Sequence, residues 1–131
     1  MASRSFNDLA AQFRARFTEW HKAAEEASGV PLLVTCTYRS PAEQDALYAI
    51  GRTKPGRKVT NAKAGESAHN FGLALDFVPL ENGKPVWDEG HDAWRKAGNL
   101  APTYGLEWAG TWTRFREYPH VQVPNWRGLV Q

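Results

Sequence analysis

At 131 residues the chain is the size of one domain, long enough to bury about two-thirds of the surface its unfolded form exposes. A hydrophobic fraction of 42% with six Trp excludes a disordered or low-complexity protein. A net charge of +2 with no block of about five like charges speaks against a nucleic-acid binder, and Cys36, the single cysteine, excludes an intrachain disulfide.

The opening "MASRSFNDLAAQF" has no apolar core of about 7–15 residues, so it is not read as a signal peptide, and no stretch approaches a membrane span. A product made in the cytoplasm without membrane insertion is expected. Phe6, Leu9, Ala10, Phe13, Phe17, Trp20, Ala24 and Ala27 follow helical spacing up to Gly29, which predicts one amphipathic helix over 5–28 with Ser5 and Asp8 at its start. "PLLVTCTY" (31–38) reads as a strand in which Cys36 alternates with Leu32 and Val34, so Cys36 is expected in the core. "SPAEQDALYAIG" (40–51) is a helix signature: Ser40 as N-cap, Pro41 at the first position, Glu43 at the third, Gly51 as the stop.

Residues 52–66 show no periodicity and form a long loop, a length at which loops are often functional. Its basic part, "GRTKPGRK" (51–58), is also rich in Gly and Pro and reads as solvated loop in preference to a nucleic-acid patch. A strand over 73–78 follows, then a turn at "ENGK" (81–84), a helix at about 89–101, and short strands in "GLEW" and "PHVQV". The fold class is therefore α+β: a single domain over 1–131 with a small, mostly antiparallel sheet and flanking helices.

In the strand at 73–78, period two places Gly72, Ala74 and Asp76 on one face and Leu73, Leu75 and Phe77 on the other. An ionised Asp beside an apolar strand is unfavourable unless it is paired or binds a metal. His69 lies just before Gly72, close enough to return towards Asp76. In "FREYPHVQV", His120 and Gln122 face one way and Val121 and Val123 the other, with Glu117 three residues before His120. His69, Asp76 and His120 make a three-ligand set of the kind catalytic zinc uses, with Glu117 as a nearby carboxylate; there is no HExxH helix.

"SAHNFGLALDF" (67–77) matches an SxHxxGxAxD motif, and "EYPHVQ" (117–122) has an acidic residue three before a histidine. Together with "TYRSPAEQDALYAIGRTKPG" and "VTNAKAGESAHNFG", these resemble the zinc D-alanyl-D-alanine carboxypeptidase and L-alanyl-D-glutamate endopeptidase superfamily (peptidase M15 type), in its phage endolysin-like branch, from about residue 31 to 123. The resemblance implies a hedgehog/D-Ala-D-Ala peptidase-like fold and one Zn2+ per chain held by His69, Asp76 and His120. It implies that Glu117 is the general base that activates water and then protonates the leaving amine. It makes Arg39 a contact to substrate or the developing oxyanion, and Ser67 a contact to a substrate carboxylate. Three positions depart from the pattern: Glu117 stands where many relatives carry Asp, Ala109 and Thr111 where they often carry Gly and Asp, and Val121 where an aromatic is common.

Other readings stand beside these. Arg39 also suits a salt bridge to Glu43 or Asp45, Ser67 a loop-shaping role, and Trp108 and Trp112 core or groove wall; His21 and His91 are expected to be structural. The implied activity is hydrolysis of the L-alanyl-D-glutamate bond in peptidoglycan stem peptides by a monomeric phage or prophage endolysin that reaches the wall through a holin-type lesion. The alternatives are a D-alanyl-D-alanine carboxypeptidase and a non-catalytic zinc-containing wall-binding module.

Overall fold

The computed structural model describes residues 2–130. Helix α1 (Arg14–Ser28) ends at Gly29, whose φ of 71° lets its N–H reach Glu25 O. Its inner face carries Phe17, Trp20 and Ala24, all fully buried. Trp20 packs edge-on against Phe77, which in turn packs on Trp94, both with ring centroids 5.3 Å apart, and the Trp20 indole N–H donates to Ala97 O. Each such large side chain withdrawn from water contributes about 1.5–3 kcal/mol.

The predicted helix over 5–28 is not continuous. Residues Phe6–Asp8 form a separate 3-10 turn capped by Ser5, the chain is extended at Leu9, and α1 starts only at Arg14. Tertiary hydrogen bonds break the helix: Ser3 and Ser5 pair with Thr37 and Tyr38, and Ala10 N donates to Gly72 O. The Arg14 guanidinium then accounts for the carbonyls of Asn7 and Leu9.

Strand β1 (Leu32–Cys36) precedes helix α2 (Pro41–Ala49), where the Ser40/Glu43 capping box and Pro41 are in place. Strand β2 (Ala74–Glu81) turns through Asn82 and Gly83, with φ of 53° and 75°, into β3 (Lys84–Pro85). Helix α3 (Asp92–Gly98) is shorter than the predicted 89–101, and a 3-10 turn over Ala101–Tyr104 follows it. Strands β4 (Glu107–Trp108) and β5 (His120–Gln122) and a short helix α4 (Trp126–Leu129) follow.

The sheet is antiparallel, in the order β1-β2-β5-β4, with β3 paired to β2. One face of β2 is core: Leu73, Leu75 and Phe77 lie in it, and on the opposite face Ala74 is equally inaccessible. Asp76 stands opposite His120 and Ala74 opposite Gln122, so these four share the face that the sequence assigned to Asp76. That face opens into a groove of about 1040 Å³.

Candidate metal centre and groove

His69 is delivered by a 3-10 turn, Ala68–Phe71. Ser67 opens the turn by accepting from His69 N at 3.3 Å, and Gly72 closes it at φ 69°. A Cβ on Gly72 would fall 2.7 Å from Ala10 N, so both conformation and space require glycine there. Asn70 braces the turn by accepting from Gly65 N and Ser67 N and donating to Arg39 O.

The structure brings His69, Asp76 and His120 together. Asp76 Oδ1 lies 3.1 Å from His69 Nε2 and 3.0 Å from His120 Nδ1, and the two imidazoles meet edge to face with centroids 5.1 Å apart. The far nitrogens are held from behind. His69 Nδ1 is 3.1 Å from the Thr37 carbonyl and His120 Nε2 is 2.7 Å from Gln122 Oε1. Each of those oxygens only accepts, so each keeps a proton on the outer nitrogen and leaves the inner nitrogen, directed at Asp76, as the one that can give up its proton to a metal ion. This is the support that metal-ligating histidines receive, and two imidazole nitrogens with one carboxylate oxygen suit zinc.

Cys36 adds to this cluster. Cys36, His69 and Asp76 offer ligand atoms within 4.8 Å of one another, a group able to hold a metal ion. The thiol is buried, as strand alternation predicts, but its sulfur is 3.5 Å from His69 Nδ1 and also accepts from Arg39 Nη2. An imidazole binds a cation through one nitrogen, and the sulfur lies against the outer one. Cys36 is therefore a neighbour of the histidine on the side away from His120.

Burial works against charge on both members of the His69–Asp76 pair, and their attraction outweighs it. At His69 the Asp76 carboxylate, with smaller help from Cys36, pushes the imidazole up from 6.5 to about 10. At Asp76, His69 and His120 hold the carboxyl well below the usual range.

Glu117 stands at the edge of this cluster, its Oε2 4.0 Å from His120 Nδ1 and its side chain 57% exposed. Arg39 also lines the groove; its guanidinium donates to Gln44 Oε1 at 2.9 Å as well as to Cys36. Ser67 lines the groove too, with its hydroxyl already engaged as the cap on His69 N. Trp108 is core, donating to Tyr118 O at 2.7 Å, whereas Trp112 forms groove wall 5.9 Å from the His120 ring. His21 is bonded to Leu32 O and His91 caps α3 while pairing with Glu81, both away from the groove. The long loop supplies one wall through Val59, Thr60, Asn61 and Ala62, and Gln44 pins it by donating to Ala62 O. Sequence reasoning passed over Thr37, whose backbone carries the contact, and Glu107, which meets Gln122 only because β4 pairs with β5.

A peptidase M15 family model described as D-alanyl-D-alanine carboxypeptidase matches residues 60–123. The peptidoglycan L-alanyl-D-glutamate endopeptidase CwlK of Bacillus subtilis (strain 168) is 43% identical over 113 residues, covering 79% of this chain and 68% of that protein. An L-alanyl-D-glutamate peptidase of Listeria phage A118 is 33% identical over 105 residues, and the match covers 79% of this chain but only 34% of the phage protein. The crystal structure of the Serratia marcescens L-Ala D-Glu endopeptidase ChiX superposes with a TM-score of 0.66 at 22% identity, covering all of this chain and 93% of that one. The D,D-pentapeptidase VanY E175A mutant in complex with Zn(II) has the same fold, with a TM-score of 0.64 at 16% identity over 88% of this chain and 72% of that chain.

Proposed function

The chain belongs to the M15 peptidase family and is a metallopeptidase, and we propose that it hydrolyses the L-alanyl-D-glutamate bond of peptidoglycan stem peptides with one zinc ion held by His69, Asp76 and His120. The observation that carries this reading is the convergence of His69 Nε2, Asp76 Oδ1 and His120 Nδ1 at the floor of an open groove, with Glu117 beside them. A zinc ion so held supplies Lewis acidity towards a water molecule and an amide carbonyl.

The chain's own residues do the rest. Glu117, exposed and lining the groove, takes the proton of the attacking water and returns it to the leaving amine. Arg39 lines the same groove and stabilises the oxygen on which negative charge develops. Arg116 and Arg127 on the groove walls favour a substrate that carries carboxylates, as stem peptides do. The bond preference rests on the relatives named for L-alanyl-D-glutamate cleavage, and the phage relative supports an endolysin role with access to the wall through a holin-type lesion.

The family model's description favours a second reading, release of terminal D-alanine. Product analysis of purified peptidoglycan separates the two. A new N-terminal D-glutamate supports the endopeptidase, and free D-alanine without it overturns that reading in favour of the carboxypeptidase.

A further inference from the structure

We propose that Glu107 is a positioning residue for the metal centre: acting through Gln122, it sets the tautomer of His120 and keeps Nδ1 available as a ligand. The inference rests on the reading of His120 as a metal ligand. Glu107 does not line the groove and touches none of His69, Asp76 or Glu117 through the bonds that hold the site. It stands opposite Gln122 in the β4–β5 ladder, and its Oε1 accepts from Gln122 Nε2 at 2.6 Å. The other end of the same amide, Oε1, accepts from His120 Nε2 at 2.7 Å.

An amide has two ends of nearly equal shape and opposite hydrogen-bonding character. Turned over, Gln122 would present its NH2 group to His120 Nε2. That nitrogen would then have to accept, and the ring proton would move to Nδ1, the atom that faces Asp76 Oδ1 at 3.0 Å. The two amide orientations therefore select two tautomers, and only one leaves the Nδ1 lone pair open. Gln122 and His120 are 8% and 7% exposed, so water competes little for either group. Glu107 breaks the tie, because a carboxylate accepts and holds the NH2 end towards itself.

His69 shows why such a device is needed on one side only. Its outer nitrogen rests on the Thr37 carbonyl just after β1, a backbone group that can only accept. Gln122 is a side chain free to turn, so the choice passes to the next residue out.

The test is zinc affinity, measured on the full chain by competition with a chromophoric chelator at neutral pH. Glu107→Ala is expected to bind zinc about 10–100-fold more weakly than the unaltered chain. The swapped pair, Glu107→Gln with Gln122→Glu, restores the polarity, since a carboxylate at 122 accepts from both His120 and the new amide; it is expected to bind zinc as tightly as the unaltered chain. Equal affinity in a folded Glu107→Ala variant overturns the proposal. So does a folded swap variant that binds at least tenfold more weakly, which also decides the matter if Glu107→Ala does not fold. If the unaltered chain fails to bind zinc, or His120→Ala binds it equally well, the metal-centre reading itself has failed, an outcome distinct from either of these.

Discussion

Asp76 Oδ1 stands 3.0 Å from His120 Nδ1, directly across the β2–β5 ladder, although 44 residues separate the two in the chain. Ladder hydrogen bonds on both sides of β2 hold that distance, so two of the three converging groups sit on the most constrained part of the molecule. His69 and Glu117 come instead from a turn and a loop at the groove edge. Rigid strands for holding and a freer carboxylate for proton transfer are the division of labour that hydrolysis at a fixed cation requires.

Removing the metal tests the first half of that division. The chain is expected to bind one zinc, to lose hydrolysis in excess chelator and to regain it on zinc addition. His120→Ala and Asp76→Ala are each expected to lose the stoichiometric zinc. Equilibrium dialysis with elemental analysis reads this directly; one tightly retained zinc in His120→Ala would remove that residue from the ligand set.

Glu117 tests the second half. Its carboxylate faces the groove without hydrogen-bonding to His69 or Asp76, so Glu117→Gln should leave zinc binding unchanged. General acid–base catalysis contributes about 10²–10⁴-fold, and turnover should fall by that factor. Undiminished hydrolysis of peptidoglycan by a zinc-loaded Glu117→Gln protein would take the base role away from this residue.

The His69–Asp76 pair gives the metal-free protein a defined pH profile. His69 is raised from 6.5 to about 10, so its contribution to stability is complete below pH 6.5 and is lost as pH rises through 10. Asp76 is lowered from 3.8, so its contribution is complete above about pH 4 and is lost on acidification. Thermal melts in chelator should therefore peak between about pH 4 and 6.5 and decline towards pH 10. Zinc competes with protons for the same groups, so its affinity should instead fall as pH drops. A chelated protein whose melting temperature rises from pH 7 to pH 10 would contradict this account of the pair.

Gly98 tests how the core supports the site. A Cβ there would sit 2.0 Å from the Trp108 indole, the ring that donates to Tyr118 O and so steadies the segment leading to His120. Gly98→Ala should cost about 1–3 kcal/mol, the usual penalty for overpacking a core, and should weaken zinc binding as the Trp108–Tyr118 bond shifts. Denaturant unfolding of the variant checks the first effect, and a stability equal to that of the unaltered chain would show that Trp108 has room to move.

Helix α2 was legible because all its signals are local: Ser40, Pro41 and Glu43 lie within four residues, and the capping box they form needs nothing from elsewhere. The strand around Asp76 was legible for the same reason, since a period of two assigns faces without knowledge of the partners. The helix over 5–28 was misjudged because periodicity cannot register Gly72 O, which takes Ala10 N, or the Thr37 and Tyr38 bonds that draw residues 3–5 away from a helical path.

The sequence by itself determined the composition of the site, an α+β chain with two imidazoles and one carboxylate in two short motifs and a second carboxylate three residues before the last histidine. Only the tertiary structure decided which nitrogen of each imidazole faces Asp76. Thr37 O sets that choice at His69, and the Glu107–Gln122 pair sets it at His120. The reason is physical: residue type specifies how many donors and acceptors a side chain carries, whereas their direction depends on strand register, which brings together groups far apart in the chain.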